Sequence, residues 1–143
     1  MHFLQSSIGQ FKQVINLGKD SLRKKDLKQP VQSHYFDNST LISYHANCYA
    51  KGTVSGVDWN YEKRFNSFPP KSAIKSALFN INISHFSKIY SDITPQRKYT
   101  ILVFWSWMVE GISKSAVSTL QLHIKDNKVE NDVEIFLVNI DLF

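Results

Sequence analysis

The sequence predicts an α/β fold built on a strand–helix–strand unit in its last third, and three observations carry that expectation. Tyr99 to Phe104 reads YTILVF, a continuous apolar, β-rich run of the kind that forms a strand buried on both faces. Ile112, Ala116, Val117, Leu120 and Ile124 then recur at helical spacing, until DNKVEND interrupts them. VEIFLVNIDL supplies a second apolar run. Together these predict a strand at 99–106, a helix at 111–127 and a strand at 132–141. A right-handed crossover that sets the two strands parallel is the favoured connection.

The upstream elements follow in order. Leu4, Ile8, Phe11, Val14, Ile15, Leu17 and Leu22 recur near spacings of three and four, which predicts one amphipathic helix from Phe3 to Lys28, open to a break at Gly18 and ending before Pro30. Alternation in Leu41–Tyr49 and Val54–Tyr61 predicts short strands, with a hairpin turning around Lys51 and Gly52. SAIKSALFNINIS reads as a helix passing into a short strand. Phe86, Ile89 and Ile93 predict a short helix that stops before Pro95. Pro69 and Pro70 divide the chain into an N-terminal helix-plus-strand lead-in, 1–68, and a second unit, 69–143.

With 143 residues, 43% of them hydrophobic and 20% charged, the chain is long and apolar enough to bury a core unaided by metal or disulfide. The net charge of +5 would favour anionic partners only if it were concentrated, and it is not. Lys19, Arg23, Lys24, Lys25 and Lys28 gather near the N-terminus, where a solvated helix face explains them better than a nucleic-acid surface. A basic module for anionic partners therefore stands as a minor reading. The N-terminus shows no basic segment followed by an unbroken apolar core, hence no recognisable signal peptide. The apolar stretch 101–109 is about half of the ~20 residues a spanning helix needs, so no membrane span is expected.

Candidate sites are few. Cys48 is the one cysteine, which excludes an intramolecular disulfide and a CxxC pair. His34, His45 and Cys48 are the only grouping that hints at metal, and they lack recurrent zinc spacing, so packing is the preferred reading and no metal or cofactor is expected. Asn38 and Asn82 begin the sequons NST and NIS. No Ser-His-Asp arrangement, phosphate loop or glycine-rich nucleotide turn is present.

KYTILVFWSW, a helix, and then NDVEIFLVNIDL resemble the first βαβ unit of thioredoxin-like proteins, in particular the TlpA-like and peroxiredoxin-like branch of bacterial envelope thiol-disulfide proteins. The likeness covers about 86–142. It implies a partial thioredoxin-like domain, an extracytoplasmic location and, in the family, a Cys-x-x-Cys pair at the helix start. There the helix dipole and free amides stabilise the attacking thiolate. Matching on Trp107 sets the thiol positions at Met108 and Gly111, with Val109 and Glu110 between them; matching on the helix sets them at Glu110 and Ser113. Neither register supplies a thiol. Methionine sulfur does not ionise, and serine does not exchange with disulfides.

The family also carries, after this unit, a further helix and a hairpin opened by a cis-proline, and no residue here corresponds to that proline. The expectation is a partial chain with no catalytic residue of its own, acting as a binding or scaffold module for a protein partner. Trp105 and Trp107 are its weak binding candidates. An oxidoreductase component using Cys48 or a partner's thiols is the alternative. Glu110 is expected to serve the helix start as an acid beside the dipole.

Overall fold

The computed structural model describes residues 1–53, 56–74 and 80–141, with backbone pairing alone for 51–53 and 56–57. It is a mixed α/β fold. Five strands form one mixed sheet in the order β1 (His2–Gln5), β7 (Val133–Asn139), β6 (Tyr99–Trp105), β2 (Gln32–Asp37), β3 (Thr40–Ala46). β1, β7 and β6 run parallel, while β2 and β3 are antiparallel to their neighbours. Strands from both sides of Phe68 thus share one sheet.

The best-marked segments fold as their patterns dictate. α4 (Glu110–Asp126) connects β6 to β7, which pair parallel with Ile101 beside Ile135 and Val103 beside Leu137. Five consecutive residues of β6, Thr100 to Phe104, are buried, as a two-sided apolar strand requires. The expected short helix is α3 (Ile83–Ile89), capped by Asn82.

The N-terminal expectation of one helix from Phe3 is corrected. Phe3 and Leu4 lie in β1, beside Leu137 and Val138. A capping box then starts α1 (Ile8–Ile15): Gln10 N donates to Ser7 Oγ at 3.1 Å, and Ser7 N donates to Gln10 Oε1 at 2.8 Å. The chain turns at Gly18, and Asp20 caps α2 (Ser21–Leu27) by accepting from Arg23 N at 2.8 Å. A Cβ on Gly18 would stand 2.6 Å from Lys24 N, so this approach of turn to helix needs glycine.

A second correction concerns 51–58. β4 (Lys51–Thr53) pairs antiparallel with β5 (Gly56–Asp58), so Lys51 and Gly52 lie within a strand and do not form the turn. Leu41–Tyr49 is strand only as far as Ala46, after which Asn47–Tyr49 forms a 3-10 turn. Val54–Tyr61 is likewise strand only over Gly56–Asp58 among its described residues, and Tyr61–Asn66 is 3-10. Most of SAIKSALFN lies outside the described residues.

Two cores sandwich the sheet. On one face Phe104, Val138, Phe136 and Leu102 pack with Val14 of α1, Leu27 of α2 and Phe86 of α3. On the other, Ile101, Val103 and Leu137 pack with Ala116, Leu120 and Ile124 of α4, and with Trp59 and Phe65. The carboxyl ends of β1, β7 and β6 meet at one edge of this sandwich, where α1 and α4 begin. Among the described residues no helix is long and apolar enough to cross a membrane.

Candidate functional site

At the carboxyl end of β6 the chain leaves the sheet at Ser106 and makes a 3-10 turn, Trp107–Val109, before α4. Ser106 is buried and caps that turn, its Oγ accepting from Met108 N at 3.1 Å. Asp141, two residues beyond β7 and 4% exposed, reaches across to the same turn. Its Oδ2 accepts from Trp107 N at 2.8 Å and from Asn139 Nδ2 at 2.8 Å, and its Oδ1 accepts from Ser106 Oγ. Ser113, from the first turn of α4, donates through Oγ to Ser106 O at 2.9 Å and accepts from Ser106 N. The turn is held from both sides.

Burial pushes the Asp141 carboxyl up. The Ser106 hydroxyl, the Trp107 amide, the Asn139 side chain and the Met108 amide together outweigh it and leave the group below its usual value. Asp141 is therefore an anion sitting against the amides that open the helical segment, where partial positive charge concentrates.

The tip itself is apolar and open. Trp107 is 59% exposed and Met108 86% exposed. Trp105 packs edge-on to Trp107 with ring centroids 5.0 Å apart. Beside them lies a hollow of about 330 Å3 lined by Trp105, Trp107, Val117 and Leu137, with Glu110 and Lys114 at its rim. Those two charges pair at 2.8 Å, an exposed i,i+4 bridge worth about 0.3–0.5 kcal/mol. Among the described residues the buried Trp105 Nε1 has no hydrogen-bond partner.

No protein-family model, curated protein or solved structure matches the chain.

The two registers for the missing thiols differ in environment. Met108 lies on the 3-10 turn and Gly111 on the first turn of α4, where a Cβ would meet nothing within 4 Å. Val109 between them is half-buried, and Glu110 opens α4 as an exposed acid. In the other register Ser113 is 6% exposed and committed to Ser106.

The remaining candidates are dispersed. His34 and His45 lie on opposite faces of the sheet, His34 among Phe36, Tyr44, Phe86 and Phe104, and His45 against Trp59 and Phe65. Burial lowers His34 to about 3, and burial with Arg64 nearby lowers His45 to about 4. Cys48 is exposed on the 3-10 turn after β3, and burial together with the Asp26 carboxylate raises its thiol. Among the described residues no three His, Cys, Asp or Glu side chains stand together as a metal cluster. Asn38 is exposed at the β2–β3 turn with φ 53°, and Asn82 uses its Oδ1 to cap α3.

Sequence reasoning missed Asp141, Ser106 and Asn139. The available signal was an acid just past an apolar strand whose parallel partner leads into a helix, because that strand end faces the helix start.

Proposed function

We propose that this chain is a thioredoxin-like protein of the TlpA-like branch without its own redox dithiol, serving as a binding or scaffold module for a protein partner in the bacterial envelope. The parallel β6–α4–β7 unit supports the kinship. So does the antiparallel hairpin β2–β3 beside β6, although it comes from upstream sequence and not from a segment after the unit.

One observation carries the functional reading. Where the family keeps its sulfur pair, this chain presents exposed Trp107 and Met108 beside an apolar hollow, while Asp141 and Ser106 accept the Trp107 and Met108 amides that open the turn. A carboxylate in that place opposes a second anion and favours a neutral, apolar guest. Burying an exposed tryptophan or methionine against a partner contributes about 1.5–3 kcal/mol each, enough for a specific contact.

The oxidoreductase alternative rests on Cys48, whose thiol is raised when attack near neutral pH calls for a lowered one. Insulin reduction with dithiothreitol separates the two readings. The proposal expects the wild-type chain and Cys48→Ala to be equally inactive, and expects Met108→Cys/Gly111→Cys to stay without turnover while the Asp141 carboxylate opposes a thiolate there. A Cys48-dependent rate in the wild type would establish the alternative.

A further inference from the structure

The two outer edges of the sheet are treated differently. Along β3 the chain covers its own edge: Ala73 N donates to Tyr44 O at 2.8 Å, Tyr44 N donates to Ser72 Oγ at 3.2 Å, and Thr40 bridges Asn82. Along β1, among the described residues, the side away from β7 has no strand, bridge or backbone partner.

Nor does β1 carry the usual devices that blunt a free edge, which are lysine, proline, a bulge or an inward charge. Its residues are His2, Phe3, Leu4 and Gln5, and His2 is tied to Glu134 at 3.0 Å. The edge is also apolar on the α4 face. Phe3, 74% exposed, lies beside Leu137, which lines the hollow under Trp105 and Trp107, and Met1 next to it is 53% exposed. An uncovered, uncharged strand edge is a template for another extended strand.

We propose that β1 is a dimerisation strand, pairing antiparallel with β1 of a second copy across a two-fold axis centred on Phe3. A two-fold axis perpendicular to the sheet keeps the faces aligned, so residues opposite each other must share a face. Centring on Phe3 sets Phe3 against its own copy, His2 against Leu4, and Met1 against Gln5. Centring on Leu4 would set Phe3 against Gln5 and leave its ring without an apolar partner. No like-charged side chains come opposite each other in the chosen register, which is the charge condition a self-complementary edge must meet. The product is one continuous sheet from two copies, with both apolar hollows on the same side. This inference does not depend on thioredoxin kinship.

The test uses the full chain. Sedimentation equilibrium over a concentration series should show mass rising from 16.5 kDa to twice that value. Phe3→Lys should stay at the lower mass, with the melting temperature that the wild-type chain shows at dilutions where it too is single, since Phe3 is exposed in the single copy. In a Cys48→Ala background, Phe3→Cys should cross-link under mild oxidation, because opposed Cα atoms in antiparallel strands stand about 4.5–5.5 Å apart, within disulfide reach. Leu22→Cys, exposed on α2, is the control and should cross-link far more slowly. A wild-type chain that stays at single mass overturns the proposal, as does a Phe3→Lys dimer, or Phe3→Cys linking no faster than the control. Single-mass protein whose β1 amides gain exchange protection from an added extended apolar peptide would assign the edge to a different protein, and also overturns it.

Discussion

The carboxylate of Asp141 accepts the backbone amide of Trp107 at 2.8 Å, joining the segment after β7 to the turn after β6. Because Ser106 and Asn139 donate to the same carboxylate, removing it orphans several groups in a buried place. Asp141→Ala should lower unfolding stability by about 2 kcal/mol or more, while Asp141→Asn, which keeps the shape, should cost less. Urea unfolding checks the order, and tryptophan emission should shift as the turn loosens. An Asp141→Ala variant as stable as the wild type would leave the carboxylate without its assigned part.

Acid should destabilise the protein well above the carboxylate range. His34 and His45 are held at about 3 and about 4 by burial, and burial also lowers His123, against opposition from the Ser67 carbonyl and Asp126. For a histidine lowered in the fold, the neutral form is the folded form, and the unfolded chain takes up the proton near pH 6.5. Stability is therefore complete well above pH 6.5 and falls as pH drops towards the folded values, by on the order of 3 kcal/mol at about pH 5.5 for His34 and His45 together, with His123 adding in the same direction. Urea midpoints against pH measure this directly. His34 and His45 should carry most of the slope and His123→Gln should reduce it, while a wild-type profile flat down to about pH 5 would contradict the assignment.

Two glycines should respond oppositely to alanine. Gly18→Ala drives a Cβ to 2.6 Å from Lys24 N, a backbone atom that cannot simply swing away, and should cost about 1–3 kcal/mol. Gly111→Ala enters open space on α4 and should stabilise by about 0.5–1 kcal/mol. Thermal unfolding of the pair tests whether the two sites are packed as described.

Cys48 should label slowly. It is exposed, yet burial around the sulfur and the Asp26 carboxylate raise its thiol, so less thiolate is present at neutral pH than in a free cysteine. Iodoacetamide labelling should run below the rate for a model thiol at pH 7 and accelerate in Asp26→Asn. Faster-than-model labelling would mark an activated cysteine and reopen the oxidoreductase reading.

The β6–α4–β7 unit was legible because its apolar pattern is strong and its contacts span few residues. β1 was not. Phe3 and Leu4 fall in step with Ile8 and Phe11, so helical spacing ran on past Ser7, whose capping box is a polar signal that periodicity ignores. β2 was obscured for a different reason: Gln32, Ser33 and His34 are buried although polar, held by such bonds as Gln32 Nε2 to Leu27 O at 2.8 Å. Sheet order depends on pairing between distant segments, which local pattern does not encode. At the site, Trp107 and Met108 were found through a motif they lack, whereas Asp141 was overlooked because its partners lie some 35 residues away.

The pairing of His2 with Phe136 spans almost the entire chain. During synthesis β1 emerges early, yet β7, its one sheet neighbour among the described residues, is made about 130 residues later, so the segment waits on the ribosome without the strand it pairs with. Non-local pairing of this kind slows folding and lengthens the exposure of sticky intermediates. The nascent protein should consequently lean on chaperones until β7 is out, and a premature stop before Val133 would yield a product that aggregates.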